Sequence, residues 1–303
     1  MRLISCLVLI FLVACAPAAT PTALPDVTVA TSSSGGRIAF VSEWEGLSGV
    51  YVMDVDSGET TRLSPLELEA SHPAWSPDGR RIAFNARADT LNDIYVMNAD
   101  GSGLTQLTQN AGENFYPTWS PDSRQLAFAS NRGGPWEIYK MNANGSDVVR
   151  LTQSTANTSR EEKPAWSPDG VWIAFMSVRD GNADVYLMDV NGGNLKRLTT
   201  HRASDLNPAW SPDGALLAFN SSRDGNEGFG IYLMNVDGSD VRTLIQGGGW
   251  YEKPAWSPDG KQLAFYSNRD GDVDVYTINA DGSGLRQLTD EPAWDAQPSW
   301  APE

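Results

Sequence analysis

The sequence predicts an all-β, six-bladed propeller of four-stranded antiparallel blades, and three observations carry that prediction. The first is a repeat. Trp-Ser-Pro-Asp-Gly or a close variant recurs around Trp75, Trp119, Trp166, Trp210, Trp256 and Trp300, at intervals of 44, 47, 44, 46 and 44 residues. A period of this size marks one supersecondary unit stacked on copies of itself, because a single copy cannot bury its own apolar faces. The second is the character of the short runs between turns. In the copy at 164–199, Ile173 and Phe175 point one way while Ala174 and Met176 point the other. A sheet wetted on one side would alternate apolar with polar residues; sheets covered on both faces at this period are propeller blades around a channel.

The third observation is that the ring closes. One period before Trp75 lies Thr31, in a Ser-rich stretch without tryptophan, yet strands b and c of a first blade are present at 37–40 and 50–53. The chain ends Pro298-Ser-Trp-Ala-Pro-Glu303, a strand a with no strand b after it. The C-terminal strand is therefore expected to complete the N-terminal blade and remove both open edges.

Each element of a blade has a local cause. Strand a ends in Pro-Ala-Trp. Ser-Pro-Asp-Gly then turns the chain, with proline presetting φ and glycine free to take φ > 0 at the bulge that starts strand b. Strand b is an Ile-Ala-Phe run, the b–c loop is Arg-Asp-Gly, and strand c is an Ile/Val-Tyr-x-Met run. Asn-Ala-Asp-Gly makes the c–d turn at 98–101 and 279–282, and Leu-Thr closes strand d. The runs of four to six residues are too short for helices. The irregular intervals fall in loops: eleven residues separate Thr152 from Pro164 where eight separate Thr108 from Pro117, and the loop before Ile231 is two residues longer than its counterparts.

The string Pro-Ala-Trp-Ser-Pro-Asp-Gly, Ile-Ala-Phe, Ser-x-Arg-Asp-Gly, Asp-Ile-Tyr-x-Met-Asn-Ala-Asp-Gly and Leu-Thr resembles the WD-like propeller repeats of the TolB family over roughly residues 36–303. The resemblance implies the fold. It implies less about function, because such repeats also occur in translocation proteins, peptidase propellers and polysaccharide lyases. The TolB family carries an α/β domain before its propeller, where this sequence has only a short linker, so nothing that domain does is carried over.

Residues 1–14 are expected to be a signal peptide: Arg2 supplies the positive region, residues 3–13 the apolar core, and Ala14 the small residue before a cut. Leu12-Val-Ala-Cys15 resembles the bacterial lipoprotein box, which implies acylation of Cys15 as the mature N-terminus. Ala16 after it implies outward sorting in a species with an outer membrane. Cys6 leaves with the leader, so disulfide and thiolate chemistry are excluded for the propeller. Residues 15–35 read as a lipidated, extended Pro/Thr/Ser tether that holds the propeller at 36–303 off the membrane.

The formal charge of −16, from 38 acidic and 22 basic residues, argues against nucleic acid or general membrane-surface binding. Much of the acidity is turn aspartate. No catalytic elbow, zinc-binding helix or phosphate loop is present, and two histidines, His72 and His201, are too few for the metal cluster of the sugar lyases that resemble this fold. Asp270-Gly-Asp272-Val-Asp274 imitates half a calcium loop but lacks the glycine at position six, so it reads as a turn. No enzymatic activity, metal or cofactor is expected.

The topology puts a–b and c–d turns on one face and b–c loops and d–a connections on the other. The residues before each Pro-x-Trp vary from blade to blade and are expected to ring the channel mouth on the d–a face. The candidates are His72, Phe115, Tyr116, Glu161, Lys163, Asp205, Asn207, Trp250, Tyr251, Lys253, Asp295 and Gln297. Loops on a rigid scaffold are where binding resides. The expected function is an exported, lipid-anchored monomer on the extracytoplasmic side that binds an envelope protein or peptide through these loops. The alternative is a carbohydrate-binding or carbohydrate-active propeller using rim aromatics with Glu161, Asp205 or Asp295.

Overall fold

The Ser-Pro-Asp-Gly turns organise each blade. In the first of them Ser76 Oγ donates to Asp78 Oδ1 (2.6 Å) and accepts from the Arg81 amide (2.9 Å), while Asp78 Oδ1 accepts from the Arg80 amide (3.1 Å). Gly79 sits at φ 69°. Where the turn has Ser123 in the glycine position, φ is still 59°, and the Ser123 hydroxyl accepts from the Asp78 amide of the neighbouring blade (3.1 Å). The computed structural model describes residues 36–303 apart from 45, 89, 110, 155–159 and 224–227. The leader, Cys15 and the tether lie outside the described residues.

Among the described residues, 24 strands form six four-stranded antiparallel sheets. The first blade is composite, ordered Asp295–Trp300, Arg37–Ser42, Gly49–Asp54 and Thr60–Arg62, with Ile38 opposite Trp300 and Ser42 opposite Asp295. The last strand therefore joins the first blade and closes the ring, as the sequence predicts. The innermost strands of the other blades are Glu69–Trp75, Asn114–Trp119, Glu161–Trp166, Asp205–Trp210 and Tyr251–Trp256.

The core is divided among the seams between blades. Strand b presents large residues to the preceding blade and alanine to the following one. Ile173 and Phe175 pack with Ala127, Ala129, Tyr186 and Met188 in one seam, while Ala174 meets Leu217, Phe219 and Tyr232 in the next. Each buried phenylalanine of this set contributes about 1.5–3 kcal/mol. The repeat tryptophans tie blades together: the indoles of Trp119, Trp210 and Trp256 donate to the carbonyls of Ala74, Ala165 and Ala209 one blade back, at 3.0, 3.1 and 3.2 Å. Trp172, at the start of its strand b, packs against the seam that Trp210 also joins.

Candidate functional site

Every innermost strand carries a bulge at the same place. In Glu161–Trp166, Glu162 pairs with Met176 and Ala165 with Ala174, so Lys163 and Pro164 share the place opposite Phe175. The first of the two bulged residues is left-handed in all six blades: His72 (φ 55°), Tyr116 (57°), Lys163 (57°), Asn207 (52°), Lys253 (50°) and Gln297 (59°). Each precedes a proline, a position that already disfavours helical φ/ψ, and a side chain in the left-handed region costs about 1–2 kcal/mol. The His72 amide donates to Gln297 Oε1 of the adjacent blade (2.6 Å), and the Tyr116 amide to Asn85 Oδ1 (3.4 Å).

Five of these residues, all but Gln297, line a cavity of about 560 Å³. The same cavity is lined by the turn prolines Pro77, Pro121, Pro168, Pro212 and Pro258 and by Trp119, Trp166 and Trp210. It thus runs from the bulge ring toward the face of the a–b turns. The sequence placed these residues at the opposite mouth; they stand inside the channel, midway along the strands, because the bulge turns the residue before proline inward.

On the d–a side of the ring the channel-facing residues are mostly engaged with one another. His72 meets Tyr116 edge-on (4.4 Å between centroids) and Phe115 (6.4 Å), and Phe115 packs on Trp136 (5.6 Å). Across the ring Tyr266 lies between Trp250 (5.5 Å) and Trp294 (6.1 Å) and donates its hydroxyl to Glu252 (2.9 Å). Glu162 pairs with Arg160 (2.6 Å).

The electrostatics follow from enclosure. Burial and the neighbouring Lys163 push Lys253 down to about 7. Burial also lowers Lys163, against the opposing pull of Glu252 and Glu162. His72 is driven well below the usual imidazole range by burial and then by the two lysines, so it is neutral at pH 7. Burial raises the Tyr116 hydroxyl to about 12.

Four expected rim residues are elsewhere. Glu161, Asp205, Asp295 and Tyr251 have relative exposures of 0%, 0%, 3% and 1% and lie in the walls between blades. Asp205 accepts from Arg223 Nη2 through both oxygens (2.9 and 3.0 Å), with the guanidinium stacked on Phe219 and Tyr232. Glu161 is 2.9 Å from Arg179 Nη2. Tyr251 donates to the Gly247 carbonyl (2.5 Å) and packs on Phe265. Asp295 differs: blade 1 reads Ser42-Glu-Trp where four other blades read Ser-x-Arg, and burial pushes its carboxyl up. His201 is exposed in the connection from blade 4 to blade 5.

Sequence reasoning missed the turn prolines as channel groups, because they were fully accounted for as turn formers.

The fold and this channel define a β-propeller with a side-chain-lined well. Residues 18–162 and 154–255 match the TolB beta propeller domain family, and the chain belongs to that family. It is similar to the crystal structure of TolB from Acinetobacter baumannii, at 23% identity over 88% of this chain and 67% of that one, with a TM-score of 0.77. It is similar also to a putative TolB from Agrobacterium tumefaciens, at 23% identity over 88% and 99% of the two chains (TM-score 0.72). An oligogalacturonate lyase in complex with manganese matches at 17% identity over 86% and 75% (TM-score 0.58). At these identities the likeness establishes the fold. No curated protein matches this sequence.

Two outcomes follow from the placements. Asp205→Ala strands the Arg223 guanidinium, and urea denaturation is expected to show a loss of about 3–5 kcal/mol, as for other broken buried pairs; a loss below about 0.5 kcal/mol would be that of an exposed residue. Lys253 has a folded pKa depressed from 10.5 to about 7, so the unfolded chain binds the extra proton between those values and stability rises with pH across that window. Lys253→Met is expected to be more stable than wild type below pH 7, with the advantage fading as pH approaches 10.5. Urea midpoints measured against pH would show it.

Proposed function

We propose that this chain is an exported, lipid-anchored protein-binding module of the cell envelope, docking a partner protein on the face where b–c loops and d–a connections gather. The observation that carries the reading is an exposed apolar group on that face. Trp44, Leu47 and Leu66 are 55%, 52% and 56% exposed, and Arg62 draws their two loops together by donating to the Leu47 carbonyl (3.3 Å) and the Pro65 carbonyl (3.4 Å). Large apolar side chains gathered at a polar surface suit a protein partner. Membership of the TolB propeller family is consistent with a binding scaffold. The anchor rests on the Leu-Val-Ala-Cys15 box, and the module acts as a monomer.

The carbohydrate-active alternative is weaker. The carboxylates it would use, Glu161 and Asp205, are buried and paired with arginines, and Asp295 is buried in the wall of the composite blade. Lys163 and Lys253, expected as rim contacts, line the channel cavity.

In-cell cross-linking with affinity capture tests the docking face. Wild type is expected to enrich one envelope protein that Trp44→Glu/Leu66→Glu loses, with equal levels of folded protein; equal capture by both would refute that face. Cys15→Ser is expected to abolish fatty-acid labelling and move the protein out of the membrane fraction.

A further inference from the structure

The cavity inside the ring holds a charge arrangement that the docking face does not explain. Lys163 from blade 4 and Lys253 from blade 6 both line one volume of about 560 Å³, and no aspartate or glutamate lines it. This is a cationic well in a chain of formal charge −16. Among the described residues, neither ammonium makes an ion pair or hydrogen bond. The acids nearest to them are already engaged, Glu162 by Arg160 and Glu252 by the Tyr266 hydroxyl. Lys163 has only the face of the Tyr116 ring, 5.9 Å from Nζ.

Withdrawing an ammonium from water without a counter-charge is costly, and so is the left-handed backbone on which each lysine is mounted. Both lysines sit on rigid strands, so they cannot relax to the surface as loop lysines would. The surrounding chemistry completes a site. Asn207 and Tyr116 line the same cavity with polar groups, and Trp166, Trp210 and the turn prolines give it apolar walls. The volume lies in the range of about 300–1,000 Å³ typical of small-molecule sites.

We infer that the channel binds a small organic anion, its oxyanion head held by Lys163 and Lys253 and its body packed on the proline and tryptophan wall. The head is a carboxylate or a phosphate, since lysine recognises either as a point charge. This site faces the a–b turns and is independent of the docking face, so either reading can fail without the other.

The groups facing Lys253 set the pH dependence. Lys163, His72 and Tyr116 surround it in the well, with Glu252 next in its own strand and Glu162 and Arg160 beyond Lys163. Lys253 is pushed down to about 7, burial and the two lysines hold His72 well below the usual imidazole range, and burial raises the Tyr116 hydroxyl to about 12.

Isothermal titration calorimetry on the purified propeller with benzoate, phenyl phosphate and the neutral benzyl alcohol tests the inference. At about pH 6 both anions are expected to bind at least about tenfold tighter than benzyl alcohol. Binding of both is expected to fall about tenfold or more in Lys163→Gln/Lys253→Gln and to be retained in Lys253→Arg, with thermal melts showing each variant folded. Benzoate is expected to weaken several-fold between about pH 6 and pH 8.5 in wild type but not in Lys253→Gln. Which anion binds tighter assigns the head group. Benzyl alcohol binding as well as the anions, undiminished anion binding in the double glutamine variant, or no anion binding by wild type would overturn the inference.

Discussion

One backbone constraint decides what this propeller presents to its channel: the left-handed bulge before proline in every innermost strand. A strand without it would alternate its side chains between the two seams, and the channel would be lined by backbone. The bulge puts two residues opposite one and turns the first inward, so five of the six blades contribute that side chain to the well. The strain is tolerated because the residues around it are fixed by strand pairing on one side and by Pro-Ala-Trp packing on the other. The identity at that position is then free to vary, and it reads His, Tyr, Lys, Asn, Lys and Gln around the ring.

The seams supply the rigidity that this strain requires. Large residues of one blade meet alanines of the preceding one, and the indoles of Trp119, Trp210 and Trp256 donate back to the preceding inner strand. Beneath the loop face, buried acids and arginines stitch neighbouring strands. Asp205 with Arg223 and Glu161 with Arg179 belong to that wall, as does Asn114, whose oxygen accepts from Arg132 (2.7 Å). The closing blade lacks the arginine two residues after Ser42, and burial there pushes the Asp295 carboxyl up.

The architecture was legible in the sequence because period, turn chemistry and two-faced apolar runs agree with one another. The composite blade was legible too, from a strand a without its strand b. The site was legible only in part. The residue before each proline was recognisable as the variable position, but its depth was not, because the bulge that turns it inward is an irregularity of pairing between two strands and not a residue pattern within one. Glu161 and Asp205 passed for rim carboxylates since acids next to loops are usually exposed. The signal that could have placed them is an arginine 18 residues on, two after the serine that ends strand b, which occurs at Arg179 and Arg223. The turn prolines show the converse: a residue explained by local geometry can also form the wall of a cavity.

The central claim is that a strained left-handed residue aims each channel side chain, and a glycine–alanine comparison at Lys253 tests it most directly. Both substitutions remove the ammonium and the same packing, so their difference isolates the backbone. At φ 50°, Lys253→Gly is expected to be more stable than Lys253→Ala by about 1–2 kcal/mol in urea denaturation. In an ordinary strand alanine would win by about 0.5–1 kcal/mol, and that result would contradict the account.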